Sequence, residues 1–308
     1  MATIYYSKAR ERAIQMISDA RKGSWIVSTA PDEVELQQLA DTYSLDVDRL
    51  RDAVDIYEAP RLEVDDDKIY LYTRYCHPEG KEIATEPLLI IYTPDHLFTV
   101  MRSPTAVLAR LTTDTVGVVT TQKTKLLLQI LHEINRSYQV QLTRVSKRLL
   151  QIRAQMRQSH INNREFVNII ELEEDLNEFL SALLPQSVLL NSIVNGRHLR
   201  LYEDDRDIVE DLERTESELI ELTKSRLRTL TNMRQAYDAI ATNNLNNTFK
   251  RLTSIAIFLT IPTIIGGLWG MNVPVPFRDD PHAFTYVLFL IAGLAVAAVW
   301  FFSRKKWL

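Results

Sequence analysis

The chain has 308 residues, 36 basic and 40 acidic side chains, a formal charge of −4 and one cysteine, Cys76. A single thiol excludes an internal disulfide framework and a cysteine-rich metal knot, and the acidic balance excludes the basic footprint that nucleic acid needs. The mean hydropathy of −0.12 averages two unlike parts: residues 1–251 hold 32 basic and 38 acidic side chains, whereas between Leu252 and Ser303 the only formal charges are Arg278, Asp279 and Asp280.

Residues 1–119 read as an α/β domain. Met1 to Arg12 lacks the apolar core of a signal peptide, which places the head on the side of synthesis. Six of the eleven prolines fall in the first 104 residues, where the pattern has period two or is continuously apolar. Trp25-Ile26-Val27, Arg61–Val64, Lys68–Tyr75, Leu88–Tyr92 and His96–Met101 are the expected strands. Asp32–Tyr43 and Asp46–Tyr57 read as helices, with Asp32 and Asp46 as N-caps.

Beyond Thr105 the only helix breakers before Pro262 are Gly117, Pro185 and Gly196. Residues 120–200 therefore form an acidic long-helix region, with one or two helices over 120–180, and residues 201–251 form a stalk. A helix continuing from the stalk through Met271 measures on the order of 100 Å, a length unsupported in a monomer. Glu171–Glu178 has five acids and no base, and Glu203–Glu213 has seven acids and one base. Such segments are solvated faces, and they also draw divalent cations, raising their local concentration or letting them bridge subunits.

Residues 252–271 and 283–302 are uncharged runs of 20 residues each, long enough as helices to cross a hydrocarbon core of roughly 30 Å. The second span is drawn over 283–303. The external loop 272–282 contains three prolines, so the pair is a helical hairpin. Lys250 and Arg251 precede it, and a basic tail, residues 304–308, follows. By the positive-inside rule both termini are cytoplasmic. A buried soluble helix pair is the bland alternative, and the flanking charges count against it.

Reading back along the first span, Gly270, Gly267, Thr263, Thr260, Ala256, Thr253, Phe249 and Asn246 recur at alternating steps of three and four. Threonines that bond their own helix and glycines that permit close packing explain each residue singly. A water-containing pore explains why they share a stripe. Two spans cannot enclose a channel, so a pore requires a homo-oligomer.

The first span ends Gly266-Gly267-Leu268-Trp269-Gly270-Met271-Asn272, and the chain closes Arg304-Lys305-Lys306-Trp307-Leu308. These residues resemble the CorA family of magnesium channels, marked by an aromatic before Gly-Met-Asn at the outer end of the first of two C-terminal spans. The likeness covers the whole layout and is residue-specific at 266–272 and 304–308. It implies a homopentamer in the cell (inner) membrane that passes Mg2+, with Co2+ or Ni2+ as surrogates, without an organic cofactor. Gly270, Met271 and Asn272 form the selectivity turn, where a ring of Asn272 meets the hydrated ion. Asn246, Thr253, Thr260 and Thr263 become polar stations of the pore, and Phe249 or Leu252 its apolar constriction. The resemblance further implies gating by intracellular Mg2+ bound between subunits, with Asp207 and Asp211 facing Asp65, Asp66 or Asp67 of a neighbour. Asn272 equally suits a left-handed helix C-cap. The loop Val273–Phe277 is neutral, unlike the acidic loops of many relatives, and Asp279 and Asp280 follow it.

Two alternatives remain at this point: a zinc transporter of the same superfamily, against which Met271 argues, and a membrane-anchored coiled-coil scaffold without transport. Enzymatic function is not expected, because His132, His160 and His198 share no metal spacing and no serine or cysteine sits beside a base. No Gly-x-x-x-x-Gly-Lys string binds a nucleotide. The partners expected are further copies of the chain and the lipid bilayer.

Overall fold

The computed structural model describes residues 2–9, 14–79, 82–113, 117–156, 163–194, 199, 201–277 and 280–305, with Pro78, Glu79, Glu82, Asn163, Arg164 and Asp204 by backbone alone. His160, Gly196, His198, Arg278, Asp279 and the tail residues Lys306, Trp307 and Leu308 lie outside the described residues. The chain divides into two units, Met1–Met233 and Arg234–Leu308.

The first unit is built on a seven-stranded sheet. In chain order the strands are β1 (Thr3–Tyr6), β2 (Gln15–Ile17), β3 (Trp25–Thr29), β4 (Arg61–Asp65), β5 (Lys68–Glu79), β6 (Glu82–Tyr92) and β7 (Leu97–Met101). They lie in the order β2-β1-β3-β7-β6-β5-β4. Only β3 and β7 pair in parallel, Trp25 opposite Leu97 and Thr29 opposite Met101. The helices are α1 (Glu33–Tyr43), α2 (Val47–Asp52), α3 (Ala106–Thr112), α4 (Lys123–Met156), α5 (Asn163–Val194), α6 (Glu203–Trp269) and α7 (Ala283–Arg304).

Strand alternation gives the sheet two apolar faces. Ile26, Tyr70, Tyr72, Leu89, Ile91 and Phe98 pack with Leu36, Leu39 and Leu50 of α1 and α2. Trp25, Ile69, Leu71, Leu88 and Ile90 join a larger core with α3, α4, α5 and the first part of α6. The unit is thus three layers, helix–sheet–helix. Two large buried polar side chains on the larger side are paired: Trp25 Nε1 donates to Thr99 Oγ1 at 3.1 Å, and Tyr138 Oη donates to the Arg74 carbonyl at 3.1 Å.

Both expected N-caps are made. Asp32 Oδ1 accepts from the Glu35 amide at 2.8 Å, and Asp46 Oδ1 accepts from the Asp48 amide at 2.9 Å. The helix expected over Asp46–Tyr57 stops at Asp52, because Asp55 Oδ1 takes the Tyr57 amide at 3.0 Å and holds the chain in a local turn. β1 and β2, with four and three residues, and the seven-residue α3 were not anticipated; each is too short to show a period. The 120–180 segment resolves into two helices, and α5 runs through Pro185. Gly23, at φ +88°, sits where an added Cβ would lie 2.8 Å from Thr121 Cγ2, so only glycine lets the turn before β3 approach the start of α4.

α6 is a helix of 67 residues that begins in the first unit and ends in the second. Its later part and α7 contain the two stretches apolar and long enough to cross a membrane.

Candidate functional site

From Asp238 to Thr253 every residue of α6 is exposed, so about four turns of helix carry no neighbour. In the apolar stretch that follows, Ser254 and Ile265 are buried and Ile261 and Trp269 half-buried, spaced by seven, four and four residues on one side of the helix. On α7 the less exposed positions are Ala283, Val287, Ile291, Ala295, Ala298 and Phe302, again one stripe. At 100° per residue the stripe of Asn246, Phe249, Thr253, Ala256, Thr260, Thr263, Gly267 and Gly270 lies on the opposite side of α6 from Ser254 and Ile265. All eight are exposed, as is Leu252 beside them.

Two of the three hydroxyls on this stripe are oriented by their own helix. Thr260 Oγ1 donates to the Ala256 carbonyl at 2.7 Å, and Thr263 Oγ1 donates to the Leu259 carbonyl at 2.9 Å. Each proton is spent inside the helix, so what each threonine offers outward is oxygen lone pairs. Pro262 lies within α6 and supplies no amide for the Phe258 carbonyl.

At its end α6 tightens. Gly270 N donates to the Gly266 carbonyl at 2.9 Å and Met271 N to the Leu268 carbonyl at 3.4 Å. A Cβ on Gly270 would stand 3.1 Å from that Gly266 oxygen, so the residue before Met271 has little room for a side chain. Met271 and Asn272 follow in a bend, both exposed. Among the described residues the non-glycine positions with positive φ are Ala30, Ser44, Asp66 and Phe277; Asn272 therefore does not serve as a left-handed cap, and its amide is displayed rather than used to end the helix.

The acids expected to sense the ion are placed separately. Asp207 and Asp211 are exposed one turn apart on α6, and Asp211 pairs with Arg214 at 2.8 Å. Asp65, at the end of β4, meets Arg49 Nη1 at 2.9 Å; Asp66 and Asp67 form the exposed turn into β5. Arg49 is drawn further into this acidic corner by Glu63 and Asp46. Among the described residues no three His, Cys, Asp or Glu side chains converge to hold a metal, so one chain alone does not assemble these five into a site.

Sequence reasoning missed Glu216 on α6, which is 1 % exposed. Its carboxyl is pushed up to about 8, chiefly by burial; a hydrogen bond from Gln186 works against the shift and neighbouring Glu213 adds to it. The available signal was register: Glu216 falls between Leu212 and Leu219, four residues after one and three before the other, on the face that enters the core.

A family model described as CorA-like Mg2+ transporter protein matches residues 21–305. The cobalt/magnesium transport protein CorA of Methanocaldococcus jannaschii is 27% identical over 297 residues, 92% of this chain and 91% of that one. The divalent cation transporter CmaX of Pseudomonas aeruginosa is 30% identical over 130 residues, 41% of this chain and 38% of that one. The complete structure of the M. jannaschii CorA magnesium transporter superposes with a TM-score of 0.88 over 100% of this chain and 99% of that one, at 23% identity; at that identity the superposition speaks for the fold.

Proposed function

Because the chain belongs to the CorA-like Mg2+ transporter family, and is on that ground a membrane transporter of divalent cations rather than an enzyme, we propose that it is a homopentameric channel. In it five copies of α6 line a path for hydrated Mg2+, and the ring of Asn272 selects the ion at the outer mouth. The observation that carries this reading is that the small and polar residues of α6 gather on one stripe, on the side away from Ser254 and Ile265. Further copies of the chain give that stripe a partner and water a place to stand.

Mg2+ holds its waters tightly and sheds them reluctantly, so a pore recognises the ion through the protons of its hydration shell. Those protons need acceptors. Asn272 supplies amide oxygens, and Thr253, Thr260 and Thr263 supply hydroxyl oxygens; none carries a formal charge that would hold the ion and slow its exit. Asn246 is the inner polar station, and Phe249 and Leu252 are the apolar ring that closes the path by dewetting. Gly270 and Met271 keep the turn compact behind Asn272. With both termini cytoplasmic in the cell membrane, a divalent ion entering down a 100 mV potential gains roughly 4.6 kcal/mol, so transport proceeds without a nucleotide.

For regulation, Mg2+ bound between neighbouring chains would be held by Asp207 and Asp211 of one and Asp65, Asp66 or Asp67 of the next. Asp207 and Asp211 suit such a role because they are exposed and share a helix face; Asp65 would exchange its Arg49 partner for the ion. Occupied sites favour a closed symmetric assembly, and their loss frees the stalks.

The test is ion flux into liposomes. Asn272→Ala is expected to abolish the preference for Mg2+ and to remove inhibition by hexaammine cobalt, a mimic of the hydrated ion. Unchanged flux and unchanged inhibition would overturn the selectivity reading, and inhibition by Zn2+ alone would move the chain to the zinc branch. A folded assembly without any conductance would leave a scaffold.

A further inference from the structure

The buried carboxyl of Glu216 plays no part in the path described above. It joins a chain of polar groups running through the larger core of the first unit. Thr73 Oγ1 on β5 donates to Gln186 Oε1 on α5 at 2.7 Å, Gln186 Nε2 donates to Asn135 Oδ1 on α4 at 3.0 Å, and Glu216 lies beside the Gln186 amide. Thr73, Asn135, Gln186 and Glu216 are each at most 2 % exposed. Glu216 Oε1, by contrast, has no partner.

Glu216 also lines a half-open cleft of about 490 Å³ between α5 and α6, walled in part by Ser187 and Asn191 on one side and Glu213 and Ser217 on the other. A cleft of this size and polarity admits water. The site is no metal centre, since no three ligating side chains converge among the described residues. What Glu216 lacks is a single positive partner, and water in the cavity can deliver one as a proton.

We propose that Glu216 and the cleft form a proton-operated catch: the neutral carboxyl lets α6 pack against α5 around it, and loss of its proton loosens that packing. Burial and the charge of Glu213 favour the neutral form and outweigh the Gln186 amide, which favours the ionised one. On α6 there is Glu213, with the Glu221–Lys224 pair, 2.9 Å apart, further along the cavity. On α5 the facing groups are the uncharged Gln186, Ser187 and Asn191; on α4 it is the phenol of Tyr138, while the uncharged Thr73 and Asn135 stand behind Gln186. Among these, only Lys224 is cationic, and Glu221 already occupies it. An ionised Glu216 would have to swing toward the cavity for hydration, carrying its turn of α6 outward.

The catch predicts behaviour that a merely structural glutamate would not show. With titration near 8, the neutral fraction falls about tenfold between pH 7 and 9. Amide exchange of full-length protein in nanodiscs should speed up for peptides of α5 and α6 around 184–194 and 212–221 over that interval. Peptides of β6 and β7 in the same sample serve as the reference that cancels intrinsic pH effects. Glu216→Gln, which keeps the shape of the neutral acid, should abolish the difference. Equal acceleration of both regions, or a wild-type response retained in the variant, overturns the proposal; if the variant folds poorly, the wild-type exchange ratio decides alone. Because α6 also carries the stripe of the proposed path, flux in liposomes should depend on pH at the soluble unit in wild type and not in Glu216→Gln. This last arm rests on the transport reading: a wild type that carries no ion at any pH sinks that reading, while the exchange result stands by itself.

Discussion

Thr260 and Thr263 show how one hydrogen bond fixes the chemistry of a surface. Their hydroxyl protons go to the carbonyls four residues back, so each side chain is an acceptor toward whatever lies outside the helix. Thr260→Val keeps the shape and deletes the oxygen. Mg2+ flux should fall at least about fivefold, the factor that a net hydrogen bond of ~1 kcal/mol implies, with assembly size unchanged in light scattering. Thr260→Ser, which keeps the acceptor, should restore most of it. Equal loss in both variants would mean that packing rather than the oxygen matters. Asn272 was singled out by the resemblance of Trp269-Gly270-Met271-Asn272 to the CorA motif, and no period or composition marks it. Glu216 was not legible, because in an acidic helix a glutamate normally faces water, and only its alignment with Leu212 and Leu219 turns it inward.

Elements were legible where one physical demand governs many residues. Hydrocarbon forbids charge over 20 residues, so both apolar helices stood out, and their flanking bases marked their ends. The sheet was partly legible: Leu88–Tyr92 announces a strand, whereas residues 82–87 join it only through pairing with β5. β1 and β2 exist because β3 offers an edge, a tertiary cause that leaves no local pattern. The approach of the β3 turn to α4 gives a test. Gly23→Ala combines a positive φ with a Cβ 2.8 Å from Thr121, whereas Gly117, also at positive φ, has nothing within 4 Å. Gly23→Ala should therefore cost more than Gly117→Ala, about 1–3 kcal/mol, read as a lower thermal midpoint of the full chain. At α1, Asp32→Ala removes the cap on the Glu35 amide and should cost about 1 kcal/mol, with exchange accelerated in α1 and unaltered in α4.

At the scale of the whole molecule the buried acids set a direction for stability against pH. Asp175 is pushed up to about 6 and Glu216 to about 8, both mainly by burial, from ordinary values of 3.8 and 4.5. The folded chain thus keeps protons that the unfolded chain sheds. Their effect on stability is most favourable below about pH 4, is lost progressively up to about pH 8 and is constant beyond. Glu33, Asp95 and Glu221 are lowered by their bonds to Arg51, Lys22 and Lys224 and act in the opposite sense, but they lie in water, which screens them. Thermal midpoints of the full chain should accordingly decline from pH 5 to pH 8, and Asp175→Asn with Glu216→Gln should flatten the profile. A midpoint that rises over that interval would contradict the burial of both groups.

Nothing between Leu252 and Met271 can gain or lose a proton in the physiological range. In the proposed pore, chloride and phosphate, which seek donors, would meet oxygen lone pairs at Thr260 and Thr263, so that stretch would disfavour anions without a fixed negative charge, and neither acid nor added salt would have anything there to neutralise.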